Sequence, residues 1–149
     1  MNNEISFRLA EAKDKPFLLR LRNEAMNSHI ANAGLTPSNE IHMERINYRF
    51  DCASIIIFAG MEIGILKVIK EGELWDLVQI QLTPSSQGKG IGRKIILEVL
   101  AQAFKNNSGV KLSVFKTNPA KNLYTELGFK TYLGTETTYE MQALPGKVK

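Results

Sequence analysis

The spacing of hydrophobic and polar residues along the first half of the chain predicts a strand, two helices and three further strands. Residues 5–9 alternate apolar and polar side chains, as in a half-buried strand. Apolar residues recur at helical spacing over Ala12–Ala31, and Gly34 ends that helix. Thr36-Pro37 is typical of a helix start and predicts a second helix that runs to about Tyr48. Runs rich in β-branched and aromatic residues then predict a three-stranded meander at Ser54–Ala59, Met61–Ile69 and Glu73–Leu82.

In the second half, predicted helices alternate with strands. A Gly-rich turn at 85–92 opens a helix that ends near Asn106 and Gly109. The apolar stripe of this helix consists of Ile91, Ile95, Val99 and Ala103. The segments that follow are predicted as a strand at Val110–Phe115, a short helix at Pro119–Leu127 closed by Gly128, and strands at Phe129–Leu133 and Thr137–Met141. The predicted order is βααβββαβαββ, an α/β protein.

The composition narrows the class of protein. The 149 residues predict one domain at 1–144 and a loose tail at 145–149. Hydrophobic residues make up 44% and charged residues 23%, which excludes disordered, collagen-like and disulfide-scaffold classes. Cys52 is the one cysteine and is predicted to lie in the core at the start of a buried strand. The first residues lack a signal-peptide pattern, and no apolar run approaches the ~18 residues of a membrane span. We therefore predict a cytoplasmic protein without membrane association.

The Gly-rich turn is the most informative stretch of the sequence. Its three glycines, Gly88, Gly90 and Gly92, would let backbone N–H groups approach an anion at a helix N-terminus. The net charge of +4 fits an anionic small ligand as well as a nucleic acid. A Walker loop would need a hydroxyl residue after the lysine, and a dinucleotide fingerprint would need glycine at Arg93. The remaining alternatives are a coenzyme A pyrophosphate site, formed by Gln87-x-x-Gly90-x-Gly92, and a helix entry selected only for its turn.

A second motif decides between these alternatives. The segment Asn118–Phe129, at the expected separation after the first motif, resembles the closing motif of the GCN5-related N-acetyltransferase (GNAT) superfamily. The resemblance covers nearly the whole chain, and its specificity lies in Asp76–Phe129. It implies a mixed, mostly antiparallel central sheet, flanked by helices, in which parallel strands 4 and 5 splay apart to admit the pantetheine arm. This is the acyl-CoA N-acyltransferase fold.

The resemblance also implies acetyl-CoA as the cofactor and names its contacts. Backbone N–H groups of the turn would hold the pyrophosphate, and the cations Lys89, Arg93 and Lys94 either add positive potential or are simply solvated. Many family members carry asparagine seven residues before the tyrosine, where this chain has Thr117, which leaves open whether Asn118 or Thr117 contacts pantetheine. The implied cofactor residues are Ile80, Leu82, Gln87, Gly88, Lys89, Gly90, Ile91, Gly92, Arg93, Asn118, Ala120 and Tyr124.

The resemblance implies direct transfer of the acetyl group to a primary amine in a ternary complex. The Ile80 N–H would stabilise the oxyanion, and Tyr124 is interpreted as the residue that assists the leaving thiolate, or else as a core aromatic. Asp76 is interpreted either as the base that accepts the amine proton or as a surface strand residue. Its ordinary pKa of ~3.9 is far below the ~10.4 of an ammonium, so it would need burial or a bridging water. Glu73 is the alternative base.

On the acceptor side, Arg22, Met26 and His29 share one helical face and are candidate contacts for a small-molecule or peptide amine, although helix-surface packing explains them as well. Trp75 either lines the acceptor groove or belongs to the core. His29 and His42 lack a metal-ligand spacing, so no metal is predicted. A non-catalytic acyl-CoA-binding sensor is the alternative function, and nucleic-acid binding ranks last because no base-stacking motif accompanies the cations. A homodimer is predicted only from the exposed sheet edge and the small size.

Overall fold

The computed structural model describes residues 4–146, which form seven strands and four α-helices. The strands are β1 (Ile5–Leu9), β2 (Ala53–Phe58), β3 (Met61–Ile69), β4 (Leu74–Leu82), β5 (Gly109–Phe115), β6 (Lys130–Gly134) and β7 (Thr138–Ala143). The helices are α1 (Lys15–Asn32), α2 (Asn39–Asn47), α3 (Ile91–Lys105) and α4 (Ala120–Glu126). The element order agrees with the prediction from the sequence. The N-terminal residues 1–3, and three of the five residues of the predicted tail, lie outside the described residues.

The fold class is confirmed. Hydrogen-bonded strands follow the order β1-β2-β3-β4-β5-β7-β6, a mixed sheet with flanking helices. β4 and β5 are the parallel pair, and their ladder joins Leu74–Asp76 to Gly109–Lys111, three residues of each strand. β5 instead pairs with β7 along Val110–Phe115. A nine-residue and a seven-residue strand therefore share only a short parallel ladder.

Two details of the predicted first half are wrong. Helix α2 is capped by Ser38, whose side chain accepts the Ile41 N–H at 3.2 Å, and not by Thr36. Ser38 has the extended backbone of an N-cap, so the helix begins two residues later than the Thr-Pro pair suggests. Cys52 ends a one-turn 3-10 helix before β2 and is only partly buried, whereas Ala53 is fully buried. The buried part of this segment therefore begins at Ala53, one residue after the cysteine.

Internal contacts divide the chain into two compact units. The first unit comprises Met1–Lys67 and Gln79–Ile91, and the second comprises Val68–Val78 and Gly92–Lys149. β3 and β4 each contribute residues to both units. The assignment of 1–144 to a single domain stays a prediction. No helix in the described part of the chain is long and apolar enough to cross a membrane.

The first unit is built on the antiparallel strands β1, β2 and β3, with α1 and α2 packed on them. A bulge between Ile56 and Ile57 shifts the register of β2 on β3. The helices and strands meet in one apolar cluster, which buries the β-branched face of the strands against the helices. This cluster comprises Leu18, Leu21, Ile46, Ala53, Ile55 and Ile65.

The second unit contains the start of β4, followed by β5, β7 and β6, together with most of α3 and all of α4. The predicted apolar stripe of α3 is buried, since Ile95, Val99 and Ala103 are at most 4% exposed. Gly109 opens β5, where a Cβ would lie 2.8 Å from the Ala143 carbonyl oxygen. Only glycine permits this close approach of β5 to β7.

Candidate active site

A single hydrogen-bonded turn connects the end of β4 to the Gly-rich segment. The Thr83 N–H donates to the Ile63 carbonyl oxygen at 2.8 Å, and the Ser86 N–H donates to the Thr83 carbonyl oxygen at 2.9 Å. The Thr83 hydroxyl also donates to Ser86 Oγ at 2.9 Å, and Ser86 is buried. These bonds fix the direction in which the chain leaves the strand.

Gln87 ties the turn back to the strand that precedes it. Its Nε2 donates to the Leu82 carbonyl oxygen at 3.0 Å. The Leu82 carbonyl oxygen thus accepts a hydrogen bond from the turn. Ile80 and Leu82, near the end of β4, are both partly buried. The side chain of Gln87 therefore sets the shape of the segment between β4 and α3.

The two glycines that follow have backbones that other residues rarely adopt. Gly88 has φ 75° and Gly90 has φ 80°, and no atom lies within 4 Å of the position of a Cβ on either one. Left-handed residues in such turns direct successive N–H groups toward one concave side, which suits an anion. The N–H groups in the first turn of α3 add to this donor set, because a helix has no internal partners for them. The segment therefore has the chemistry of a phosphate site.

Of the three cations predicted near the turn, one has a partner within the second unit. Arg93 donates to Glu126 on α4 at 2.9 Å, and both side chains are about half exposed. Lys89 and Lys94 are exposed. An exposed ion pair such as Arg93–Glu126 contributes little to stability, so Arg93 can exchange this partner for a ligand phosphate at small cost.

In the second unit, Asp76 is half-buried and pairs in register with Lys111 of β5. Burial raises the pKa of Asp76, the Lys111 ammonium opposes this rise, and the Glu140 carboxylate adds to it. Glu140 is itself held in place, since its Oε2 accepts bonds from the hydroxyls of Ser113 at 2.7 Å and Thr138 at 2.8 Å. Asp76 is thus a stronger base than a solvated aspartate. A higher pKa is what a carboxylate needs in order to accept a proton from an amine.

Tyr124 lies on α4, edge-on to Phe129 with ring centroids 5.8 Å apart. Burial raises its pKa to about 12, so the phenol is protonated at neutral pH. The helix begins with a bond from the Ala120 N–H to Asn118 Oδ1 at 2.9 Å. The side-chain oxygen of Asn118 thus serves the helix start, which leaves its amide nitrogen for the predicted pantetheine contact.

The predicted acceptor residues have different environments. Arg22 is buried on α1, and Met26 and His29 are partly buried on the same helix. Trp75 is 7% exposed, with Lys70 Nζ 5.7 Å from its ring centroid. Its burial favours the core interpretation of Trp75 over a groove contact. Within residues 4–146, no group of three or more His, Cys, Asp or Glu side chains is placed to hold a metal ion.

Sequence reasoning missed several buried polar groups in the first unit, and two of them are fully buried. Lys67 is fully buried, and its ammonium donates to three backbone carbonyl oxygens at the end of α2. His42 is also fully buried and accepts the Arg22 Nε–H at its Nδ1, 3.1 Å away. A signal existed for Lys67, because a charge inside the apolar run Ile63–Ile69 needs a partner. The Arg22–His42 pair depends on how α1 packs on α2, which the sequence pattern does not give.

Comparisons with known proteins identify the family of this chain. A model of the acetyltransferase (GNAT) domain matches residues 52–131, more than half of the chain. The chain therefore belongs to the GNAT acetyltransferase family, as the two sequence motifs predicted. No curated protein sequence matches the chain.

Solved structures share the fold at low sequence identity. The PaiA N-acetyltransferase of Thermoplasma acidophilum, solved in complex with coenzyme A, is 18% identical with a TM-score of 0.71, over 95% of this chain and 99% of that one. The spermidine N-acetyltransferase of Vibrio cholerae, solved with coenzyme A and spermine, is 23% identical with a TM-score of 0.68, over 96% of each chain. The ribosomal-protein-S18-alanine N-acetyltransferase of Escherichia coli is 17% identical with a TM-score of 0.68, over 98% of this chain and 97% of that one.

Proposed function

We propose that the protein is an acetyl-CoA-dependent N-acetyltransferase that transfers the acetyl group directly to a primary amine of a small molecule or peptide. The observation that carries this proposal is the turn between β4 and α3, in which Gly88 and Gly90 are left-handed and open to solvent at the start of a 15-residue helix. Such a turn offers backbone donors to a diphosphate without any side chain in the way. Membership of the GNAT family supplies the class of reaction.

The residues present fit coenzyme A. We assign the pyrophosphate to the N–H groups of Gly88 through Arg93, with Gln87 holding the turn in shape. We assign the pantetheine arm to the backbone of Ile80 and Leu82, with Asn118 and the small residue Ala120 as further contacts. The short ladder between β4 and β5 supports this assignment. It ends at Asp76 and Lys111, so the backbone groups of Ile80 and Leu82 lie outside it and are not used in pairing with β5. Bound acetyl-CoA would supply the thioester that the amine attacks.

The backbone N–H of Ile80 is proposed to stabilise the oxyanion, a role worth ~2.7–4 kcal/mol where such donors have been removed. Tyr124 is proposed to stabilise the departing thiolate by a hydrogen bond. With its pKa at about 12, Tyr124 is a weak acid toward a thiolate whose conjugate acid has a pKa of ~8.5. Full proton transfer would be uphill by ~5 kcal/mol, so donation of a hydrogen bond is the role that its burial supports.

Asp76 is proposed as the group that accepts the amine proton, directly or through a water. Its raised pKa narrows the gap to the pKa of an ammonium, although the Lys111 ammonium opposes that rise. Glu73 is exposed at the residue before β4 and is the alternative base. The names of the structural relatives include acceptors as different as spermidine and the alanine of ribosomal protein S18, so the fold does not select the amine. The homodimer and the cytoplasmic location also stay predictions.

The test is coenzyme A release over a panel of amines, paired with a direct measurement of acetyl-CoA binding by calorimetry. The proposal expects binding together with turnover of at least one amine. Tight binding without turnover of any amine would instead identify the acyl-CoA-binding sensor. A crystal with acetyl-CoA whose diphosphate lies away from Gly88–Arg93 would overturn both assignments.

A further inference from the structure

A chain of polar side chains crosses from α1 to α2 within the first unit. Arg22 Nε donates to His42 Nδ1 at 3.1 Å, so Nδ1 is the acceptor and the imidazole proton is on Nε2. His42 Nε2 therefore donates to Asn27 Oδ1, 2.7 Å away, and Asn27 Nδ2 donates to Asn23 Oδ1 at 2.9 Å. The chain ends where Asn23 Nδ2 donates to Asn39 Oδ1 at 3.2 Å. Every group in it is neutral except Arg22.

Among residues 4–146, no side chain acts as a counter-ion for the charge of Arg22. Arg22 is 7% exposed, and its bond to His42 is its one hydrogen bond among residues 4–146. The charged group that acts on it most strongly is another cation, Arg45. Lys67 offers no help to an anion, because its ammonium donates to the carbonyl oxygens of Arg45, Ile46 and Tyr48 at 2.9, 3.2 and 2.6 Å. A buried cation without an anionic partner is costly, and a bound anion would remove that cost.

The free edge of the guanidinium is accessible. No side-chain nitrogen or oxygen in the described part of the chain is both buried and without a hydrogen-bond partner. The terminal nitrogens of Arg22, which have no acceptor among residues 4–146, therefore retain some solvent-accessible area. Burial lowers the pKa of Arg22 to about 10, which leaves it protonated at neutral pH. His42 holds the Nε side, so the edge formed by the two Nη atoms is the one that faces a ligand.

We propose that the Nη edge of Arg22 is a binding site for a small carboxylate. Two parallel N–H donors on a rigid fork match the two oxygens of a carboxylate. A monoanion balances the single buried charge of Arg22. Binding of the carboxylate is independent of the proposed acetyl transfer. Its source is either a free ligand or the acceptor amine, and the second assignment rests on the proposed function.

Nuclear magnetic resonance of the Arg22 Nε–H group tests the binding directly. Sodium acetate is titrated at constant ionic strength against sodium chloride, with inorganic phosphate as a second probe. We expect a saturable shift with acetate in the wild type and in Arg20→Gln, which removes an exposed arginine two residues earlier on α1. Arg22→Lys keeps the charge but loses the fork, and we expect its Kd to be about tenfold higher. Arg22→Gln should abolish binding. Because Arg22→Lys and Arg22→Gln lack the Arg22 Nε–H group, their titrations are followed by the His42 ring signals, and circular dichroism checks that both variants fold.

Equal acetate binding by Arg22→Lys and the wild type, no saturable shift in the wild type, or tighter binding of phosphate than of acetate would each overturn the proposal. A second arm identifies the source of the carboxylate. With acetyl-CoA present, turnover of β-alanine is compared with that of β-alanine amide, which lacks the carboxylate. An acid preference of about tenfold that Arg22→Gln removes assigns the carboxylate to the acceptor. Acetate binding without this preference assigns it to a free ligand. If no amine is turned over, the acetyl-transfer proposal fails and the acetate titration still decides the site.

Discussion

Lys67 Nζ lies 2.6 Å from the carbonyl oxygen of Tyr48, the residue that follows α2. The same ammonium bonds the carbonyl oxygens of Arg45 and Ile46 within the last turn of that helix. The C-terminal end of a helix carries partial negative charge and carbonyl groups without helical partners. A buried ammonium donates hydrogen bonds to these carbonyls and balances the partial charge. A residue of β3 thereby caps a helix that belongs to the same unit.

Substitution of Lys67→Met should lower the free energy of unfolding by about 1–3 kcal/mol at pH 7, because three carbonyl oxygens lose their donor. Urea denaturation measures the change. Lys13→Met removes an exposed lysine and should stay within about 0.5 kcal/mol of the wild type.

The pH dependence of the stability gives an independent check of Lys67. Since the pKa of Lys67 is lowered from 10.5 to about 8, the unfolded chain binds the extra proton between these values. Wild-type stability should therefore rise relative to Lys67→Met from pH 8 to pH 10.5, by ~3 kcal/mol in total. A flat difference over this range would contradict the assigned pKa.

Protonation of His42 should break its bond with Arg22. Burial, and to a smaller extent the Arg22 charge, lower the pKa of His42 below its ordinary 6.5. The unfolded chain then binds the proton first as the pH falls, so the stabilising contribution is complete above pH 6.5 and is lost below it. Urea midpoints between pH 7.5 and 5 should fall more steeply for the wild type than for His42→Gln, which cannot titrate. Parallel slopes would show that the pKa of His42 is the same in the folded and the unfolded chain.

Tyr124→Phe should lower kcat by about tenfold to a hundredfold with little change in the KM for acetyl-CoA, because it removes a hydrogen bond to a group that is charged only as the thiolate departs. With the pKa of Tyr124 at about 12, its ionisation should not shape the pH profile below pH 10. Tyr132→Phe, at an exposed tyrosine of β6, is the matched control and should leave kcat unchanged. A rise in KM with constant kcat would instead assign Tyr124 to ground-state binding.

The charges around Asp76 provide a test of the base that goes beyond its removal. If Asp76 accepts the amine proton, the acid limb of kcat/KM reports its pKa. Lys111→Met removes the cation that lowers this pKa, so the limb should move to higher pH. Glu140→Gln removes the carboxylate that raises it, so the limb should move to lower pH. Glu73→Gln should leave the limb in place, and a limb that follows Glu73 instead would transfer the role of base to that residue.

Two glycines with the same backbone allow a controlled test of the coenzyme site. Gly90 and Gly72 both have positive φ, 80° and 72°, with nothing within 4 Å of a Cβ position. Valine at either position meets the same backbone strain, so both variants should lose similar stability. Gly90→Val should also raise the Kd for coenzyme A by at least about tenfold, whereas Gly72→Val should not. Equal affinities in the two variants, measured by calorimetry, would exclude the turn as the pyrophosphate site.

The sequence predicted those parts of the fold that local pattern determines. The stripe of α3 and the bounds of β1 and β3 follow from periodicity, and the position of the turn before α3 follows from its glycines. Start signals were less reliable, because Ser38 competes with Thr36 for the same role and the choice depends on the helix that follows. Neither the hydrogen bond of Arg22 to His42 nor the raised pKa of Tyr124 could be predicted, since the first depends on how α1 packs on α2 and the second on the burial of Tyr124 in the folded protein.

The bond from Gln87 Nε2 to the Leu82 carbonyl oxygen has a kinetic and entropic consequence. The bond is made by groups of the protein itself, and it restrains the turn between β4 and α3, the segment proposed to hold the diphosphate. Preorganised donors spare a complex the ordering entropy of the loop, which for a flexible segment is a substantial part of the binding free energy. Coenzyme association should then be governed by encounter with the turn, and loop closure should contribute no separate slow phase.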